Sequence, residues 1–327
     1  MRTWLALADR TLVLFLGIAA GALIAVAFFP DAPPAPPPPV IVPQAPDAPS
    51  AGSVAPAAPD TAPGAAAAPT ARPLPSAALV PGAPSQQLVE TVAGGGPVRI
   101  GVFGDSFGDG VWSGLNRQLG ERDGYDVVKF SQQATGFTRY KRLNLETHAA
   151  EQLGDRRIDI AVISYGANDT QGVITSKGKY AALMSPEWQA EIGARVDGFV
   201  RLMREHGATV FWVGLPRMRK PSFDADIAAM NAFYQARMAA LGVPFIETVS
   251  TSAGSDGGFA TYLIDPADAK RTLIRADDGI HMSMTGYVWI TRGLAGRIKA
   301  EVEAARRIAG KASPPAPATP PARETAA

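Results

Sequence analysis

The chain has 327 residues, of which 46% are hydrophobic and 19% charged, and its 31 Lys and Arg residues are balanced by 30 Asp and Glu residues. The net charge of +1 gives no electrostatic reason to expect a nucleic-acid partner. Cysteine is absent, which excludes disulfides, thiolate metal sites, a cysteine nucleophile and lipid attachment to cysteine.

The first predicted element is a transmembrane signal-anchor over residues 11–29, a run without any charged side chain. A helix needs about 20 apolar residues to cross the core of a bilayer. Arg2 and Arg10 precede the run, so the positive-inside rule makes residues 1–10 a cytoplasmic tail and exports the rest of the chain. A cleaved signal peptide, with an A-x-A-like site at residues 25–27, is the alternative and exports the domain as well.

Residues 30–97 are rich in proline and alanine and contain 19 of the 29 prolines. They have almost no large apolar side chains, so they cannot bury enough surface to offset their ordering entropy. We therefore predict a disordered linker, partly in polyproline conformation, that tethers the exported domain. A spacer with no specific use is equally compatible with this composition. Residues 311–327 hold five more prolines and are predicted to be a disordered tail.

Strand and helix signals alternate over residues 98–310, which is typical of a parallel sheet covered by helices on both faces. Three helices are well signalled. One begins at Pro186 behind an N-cap at Ser185, one covers about residues 225–241, and one starts after Ser283 or Thr285. Short apolar runs predict five buried strands, at residues 98–103, 126–130, 158–165, 209–215 and 243–246. The expected fold class is a three-layer α/β/α domain.

In such a sheet, ligands bind beyond the carboxyl ends of the strands, so functional residues are expected in the loops that follow them. Ser106 follows the first strand at the start of a helix, a position that suits a nucleophile. Gly136 follows the second strand and Asn168 the third. Their N–H groups, with the backbone N–H of Ser106, are candidates for an oxyanion hole.

A serine nucleophile requires a base with a pKa near the working pH, and the chain offers only three histidines. His206 is expected in the last turn of a helix, where it interacts with the helix dipole. His148 has no obvious partner in the sequence. His281 follows the fifth strand and stands three residues after Asp278, so it is the candidate base. A structural histidine held by Asp278 is the alternative interpretation.

Taken together, these segments resemble the SGNH (GDSL-type) hydrolase family over about residues 98–308. The four blocks of the family match, in order, Gly104-Asp105-Ser106, Gly136, Gly166-Ala167-Asn168-Asp169 and Asp278-Gly279-Ile280-His281. The chain departs from the family pattern at Phe107, where leucine is usual, and beside Gly136, where an asparagine is usual. The fuller pattern resembles an uncharacterised subgroup of bacterial envelope proteins.

The resemblance implies a flavodoxin-like SGNH fold and acyl transfer that needs neither a cofactor nor a metal. Ser106 would attack an ester carbonyl, His281 would accept its proton and Asp278 would orient the imidazole, with Asp277 as an alternative orienting group. The N–H groups of Ser106 and Gly136 and the amide of Asn168 would stabilise the oxyanion.

Export of the domain indicates an acylated envelope polysaccharide, or a small ester, as substrate. The expected location is the bacterial inner membrane with the C-terminal domain in the periplasm, or the soluble periplasm if the anchor is cleaved. Water and a sugar hydroxyl both stay open as acyl acceptors. Arg139, Arg217 and Arg275 lie on the predicted edge of the site and are candidate contacts for an anionic substrate. Ordinary solvated loop charges are the alternative.

Three other classes stay open at this stage. A non-catalytic glycan-binding or scaffold protein with a relict SGNH site would keep the same fold and tether. A nucleotide-binding flavodoxin-like domain would also use glycines at strand ends, but residues 101–104 form neither a dinucleotide fingerprint nor a phosphate loop. A metalloenzyme is disfavoured because the three histidines are scattered along the chain.

Overall fold

The computed structural model describes residues 84–312. The predicted anchor at residues 11–29, most of the predicted linker and the tail from residue 313 lie outside the described residues, so the predictions made for them stay predictions. Among the helices that the structure describes, none combines the length and the apolar composition needed to span a membrane.

A five-stranded parallel sheet forms the centre of the domain. Its strands are β1 (Val98–Gly104), β2 (Tyr125–Lys129), β3 (Ile160–Ser164), β6 (Thr209–Val213) and β7 (Phe245–Ile246). All five strands predicted from the apolar runs are present. Their spatial order is β2-β1-β3-β6-β7, and each neighbouring pair is parallel. This is the flavodoxin-like order, so the predicted fold class is confirmed.

Helices cover both faces of this sheet. They are α1 (Gln86–Ala93), α2 (Ser106–Asn116), α3 (Leu145–Leu153), α4 (Pro186–Glu205), α5 (Pro221–Leu241), the single turn α6 (Val249–Ser252) and α7 (Met284–Ala312). Successive strand residues point to opposite faces, so Ile160 and Val162 of β3 pack in the core beneath α1, α2 and α7. Ala161 and Ile163 pack in the other core, beneath α3, α4 and α5. The domain therefore has three layers.

The helix signals in the sequence are confirmed with small shifts of their boundaries. The Ser185 hydroxyl caps α4 by accepting a hydrogen bond from the N–H of Trp188, and Pro186 is the first helical residue. Helix α5 begins at Pro221, four residues before the predicted start at about residue 225. Helix α7 begins at Met284, directly after Ser283.

The predicted linker is wrong in its last part, because the folded domain begins before β1. Residues 86–93 form α1, which is capped by Ser85 and buries Leu88 completely. Thr91 donates a hydrogen bond of 2.6 Å to the buried carboxylate of Asp159, next to the amino end of β3. The few apolar residues of this segment are therefore enough for a short helix that packs on an existing core.

Two short antiparallel hairpins were not predicted. Strands β4 (Val173–Ile174) and β5 (Tyr180–Ala181) form one, and β8 (Tyr262–Ile264) and β9 (Arg271–Leu273) form the other. The second hairpin leads directly into the loop of residues 276–281, which carries Asp278 and His281. Strands of two or three residues leave too short an alternation to be recognised in a sequence.

Candidate active site

Ser106 is the first residue of α2 and lies immediately beyond the carboxyl end of β1. Asp105 forms the N-cap, and its Oδ1 accepts a hydrogen bond of 2.9 Å from the N–H of Phe107. The turn is tight, since a side chain on Gly104 would collide with the carbonyl oxygen of Ser164 and lie 2.7 Å from the Cα of Gly108. The glycines of this segment thus let the chain pass from strand to helix within one residue and present a half-buried Ser106.

His281 and Asp278 reach this serine from the loop before α7. The Nε2 atom of His281 lies 2.9 Å from the Oγ of Ser106, and its Nδ1 atom lies 2.6 Å from the Oδ2 of Asp278. The other carboxylate oxygen of Asp278 accepts the backbone N–H groups of Ile280, at 2.8 Å, and His281, at 2.9 Å. The structure therefore joins the three side chains that the sequence singled out in one chain of hydrogen bonds.

The charge state of Asp278 fits this arrangement. Partial burial alone would raise the pKa of its carboxyl group, but the hydrogen bonds from the His281 ring and from the N–H groups of Ile280 and His281 lower the pKa to about 2. Asp278 is consequently ionised at any pH near neutrality. An ionised carboxylate at Nδ1 fixes the imidazole with Nε2 toward Ser106.

The predicted oxyanion groups lie around the same serine. Asn168 follows β3, and its side-chain amide donates to the carbonyl oxygen of Thr135, at 3.0 Å, and to the Oδ2 of Asp105, at 3.3 Å. These two bonds tie together the segments that carry Ser106 and Gly136. Within residues 84–312, neither the N–H of Ser106 nor that of Gly136 donates a hydrogen bond to another group of the protein.

Asp169 is a buried carboxylate of this site that our reading of the sequence did not assign a role. It is fully buried, and it accepts the N–H groups of Phe137, at 3.0 Å, and Thr138, at 2.7 Å, and the hydroxyl of Thr138, at 2.7 Å. Burial raises its pKa against the opposing effect of these hydrogen bonds. Its position beside Asn168 in the asparagine block was the one signal in the sequence.

Asp105 is a second buried carboxylate whose environment the sequence did not reveal. It is fully buried, and the loss of solvent, opposed by the Phe107 N–H and reinforced by the nearby charge of Asp169, raises its pKa to about 7. Two acidic side chains thus lie behind the candidate nucleophile and its neighbouring loops. Both contact backbone or side-chain groups that hold these loops in place.

The three arginines predicted to contact substrate have different roles. The prediction is wrong for Arg275, whose guanidinium is completely buried and donates to main-chain carbonyls within the protein. Arg217 forms an ion pair of 2.7 Å with Asp224. Arg139 donates to the carbonyl of Ala134 at 2.9 Å and stays partly exposed, so its contact with a substrate remains a prediction.

The other histidines do not contribute to the site. His206 is the C-cap of α4, at the end of the domain opposite the carboxyl ends of the strands. His148 lies on α3, and its Nε2 atom is buried without a hydrogen-bond partner in the part of the chain that the structure describes. Among residues 84–312, no group of three or more His, Asp or Glu side chains is arranged to hold a metal ion.

Comparison with known proteins gives a family and a set of distant structural neighbours. Residues 99–297 match the model of a family described as "Protein of unknown function (DUF459)". The sequence matches none of the curated proteins with which it was compared.

Three solved structures illustrate the structural neighbours. A carbohydrate acetylesterase from Sinorhizobium meliloti is 18% identical with a TM-score of 0.43, and the match covers 62% of this chain and 98% of the other. The aryl esterase of M. smegmatis gives the same four values. A GDSL-like lipase from Bacteroides thetaiotaomicron is 15% identical with a TM-score of 0.42, over 63% of this chain and 88% of its own. In its fold the chain is similar to GDSL-like and SGNH hydrolases.

Proposed function

The chain belongs to the DUF459 family, and we propose that it is a serine-dependent ester hydrolase or O-acyltransferase. The observation that carries this proposal is the 2.9 Å contact between the Oγ of Ser106 and the Nε2 of His281. The Ser106 hydroxyl lies at a helix N-terminus and is hydrogen-bonded to an imidazole, which is in turn hydrogen-bonded to a carboxylate. This arrangement activates a serine nucleophile.

In the proposed mechanism, Ser106 attacks the carbonyl carbon of an ester while His281 takes its proton. The N–H groups of Ser106 and Gly136 and one amide hydrogen of Asn168 stabilise the negative charge that develops on the carbonyl oxygen. Because both amide hydrogens of Asn168 are used within the protein, the longer bond to Asp105 is the one that a bound oxyanion would replace.

Collapse of the tetrahedral intermediate expels the alcohol, which receives the proton from His281, and leaves an acyl group on Ser106. A water molecule or a sugar hydroxyl then attacks this acyl group, and His281 again acts first as base and then as acid. Throughout both steps Asp278 remains ionised and stabilises the imidazolium. The residues around Ser106 do not distinguish the two acceptors, so the reaction with each must be measured.

The central test uses the full-length chain and a small ester such as p-nitrophenyl acetate. Ser106→Ala and His281→Ala are each expected to lower kcat by at least about 10⁴-fold, because the parts of such a site act as a unit. Ser113→Ala is the matched control, since Ser113 lies on the same helix and bonds only to the carbonyl of Asp109 among the described residues. A fluorophosphonate probe should label the wild type and Ser113→Ala but not Ser106→Ala. Esterase activity that persists in purified Ser106→Ala protein would discard the assignment, and failure of the probe to label Ser106 would favour a relict site.

For the natural substrate we propose acylated envelope glycans. Two features support this class. The sequence predicts an exported, tethered domain, and the site is open, with 46% of the Asp278 side chain and 31% of the His281 side chain exposed to solvent. An open site admits an acyl group carried on a bulky polymer.

The test of this substrate class is to incubate the protein with O-acetylated polysaccharide and to follow free acetate and newly acetylated sugar by mass spectrometry. Release of acetate alone indicates an esterase, and transfer to sugar indicates an acyltransferase. The absence of both products would contradict this substrate class.

A further inference from the structure

Arg275 is a buried cation without a carboxylate partner. Its side chain has no exposed surface, and no Asp or Glu in the part of the chain that the structure describes lies within ion-pair distance of its guanidinium. Burial lowers its pKa to about 10, although nearby Tyr287, Asp278 and Asp224 favour the charged form. The side chain therefore carries its charge at neutral pH. Burying a charge without a charged partner is costly, so other contacts must compensate for the lost solvation of the guanidinium.

Main-chain carbonyl groups provide that compensation. The guanidinium donates to the carbonyl oxygens of Arg217, at 2.6 Å, Ile280, at 2.9 Å, His281, at 3.3 Å, and Gly279, at 3.4 Å. The carbon of the guanidinium also lies 4.6 Å from the centre of the Phe259 ring, a cation–π contact. All three nitrogens of the group are thus engaged.

These carbonyls belong to two separate loops. Arg217 lies in the loop that follows β6, whereas residues 279–281 end the loop that carries Asp278 and His281. Three successive carbonyl groups of that second loop converge on one planar cation, which fixes the orientation of its main chain. The base of the loop is closed as well, since Arg275 and Met282 form an isolated antiparallel bridge and the N–H of Ala276 donates to the carbonyl of His281 at 3.0 Å.

We propose that Arg275 is a positioning residue for His281: its guanidinium holds the main chain of residues 279–281 so that the imidazole reaches Ser106 at hydrogen-bonding distance. This inference rests on the proposed function, because the position of the imidazole matters only if His281 acts as base. Lysine is a poor substitute, since its three donors diverge from one nitrogen and cannot reproduce the planar fork of arginine.

The test compares Arg275→Met and Arg275→Lys with Arg237→Met in the full-length chain. Arg237 pairs with Asp197 near the far end of α5, so its loss removes an ion pair without touching the loop of residues 276–281. Each variant is assayed at a temperature at which it is fully folded. Arg275→Met is expected to lower kcat by about 10²-fold with KM changed less than about threefold, because small misplacements of a reacting group have effects of that size. Arg275→Lys should be intermediate, and Arg237→Met should leave both constants within about threefold.

A second readout does not depend on catalysis. The proton on Nδ1 of His281, bonded to Asp278, is expected to give a downfield proton NMR signal in the wild type. This signal should persist in Ser106→Ala and Arg237→Met and broaden or vanish in folded Arg275→Met.

A wild-type kcat or an unchanged signal in Arg275→Met would overturn the positioning role and leave the hydrolase proposal intact. If Arg275→Met fails to fold, the same two measurements on Arg275→Lys decide the question. A wild-type protein without esterase activity would contradict the proposed function, and the NMR comparison would still decide whether Arg275 holds the imidazole.

Discussion

The carboxylate of Asp169 occupies the space in which a side chain on residue 136 would begin. A Cβ atom placed on Gly136 would lie 2.5 Å from the Oδ1 of Asp169, closer than real carbon and oxygen atoms approach. The same carboxylate accepts the N–H groups of Phe137 and Thr138, so it holds the segment that follows Gly136. The φ of Gly136 is 168°, an extended backbone that any residue adopts. Glycine is therefore required here for the close approach of Asp169 and not for its backbone conformation.

Gly136→Ala should therefore displace Asp169 or the segment of residues 136–138 and move the N–H of Gly136 away from the oxyanion. We expect kcat to fall by about 10²- to 10³-fold, the usual cost of losing one oxyanion donor. Gly296→Ala is the control, since a Cβ on Gly296, in the middle of α7, would meet no atom within 4 Å. That substitution should raise the free energy of unfolding by about 0.5 to 1 kcal/mol, through better helix propensity, and leave kcat unchanged. Wild-type activity in Gly136→Ala would remove Gly136 from the proposed oxyanion hole.

Asp278→Asn tests which carboxylate orients the imidazole. An amide at this position no longer stabilises the imidazolium and can hold the ring in the wrong tautomer, so kcat should fall by about 10⁴-fold with the fold preserved. The sequence left Asp277 open as an alternative. In the structure the backbone carbonyl of Asp277 accepts a hydrogen bond from the guanidinium of Arg219, and the carboxylate at Nδ1 of His281 is that of Asp278. Asp277→Asn is thus the matched control and should keep kcat within about threefold. If Asp277→Asn were the inactive variant, the assignment of Asp278 would have to be exchanged.

The buried acid behind Ser106 should make stability depend on pH. The pKa of Asp105 is raised from 3.8 to about 7, so between these values the folded chain holds a proton that the unfolded chain has lost. Stability from this group is therefore fully present below about pH 4 and decreases as the pH rises toward about 7. In Asp105→Asn this contribution to the slope disappears, while Asp169, whose pKa is also raised, keeps its own. Thermal unfolding of both proteins between pH 5 and 8 checks this. Parallel curves would show that Asp105 is already ionised at pH 5.

Much of the fold and the two reacting side chains could be predicted from the sequence because each has a local signal. Buried strands are continuous apolar runs, and Ser106 stands directly after such a run, where α/β folds place their ligands. His281 is one of only three histidines and follows Asp278 at a spacing of three residues. The burial of the carboxylates of Asp105 and Asp169 has no local signal in the sequence, because burial of an acidic residue depends on segments that lie far apart in the chain. Arg275 was assigned to the surface for the same reason: an arginine beside a site is usually solvated, and only the two converging loops explain why this one is not.

Helix α1 was not predicted, because its neighbours in sequence are proline, alanine and glycine, and because its stability comes from packing on the domain.

The position of α1 gives a test of where the domain begins. A variant that starts at residue 84 should unfold at the same temperature as the full-length chain, whereas one that starts at residue 98 should be less stable. Loss of Leu88 burial alone contributes about 1.5 to 3 kcal/mol, and the buried carboxylate of Asp159 loses its bond from Thr91. Leu88→Ala in the full-length chain separates packing from truncation and should cost about 2 to 5 kcal/mol. Equal unfolding temperatures for the two truncated variants would place the start of the domain at β1, as the composition of residues 30–97 alone suggests.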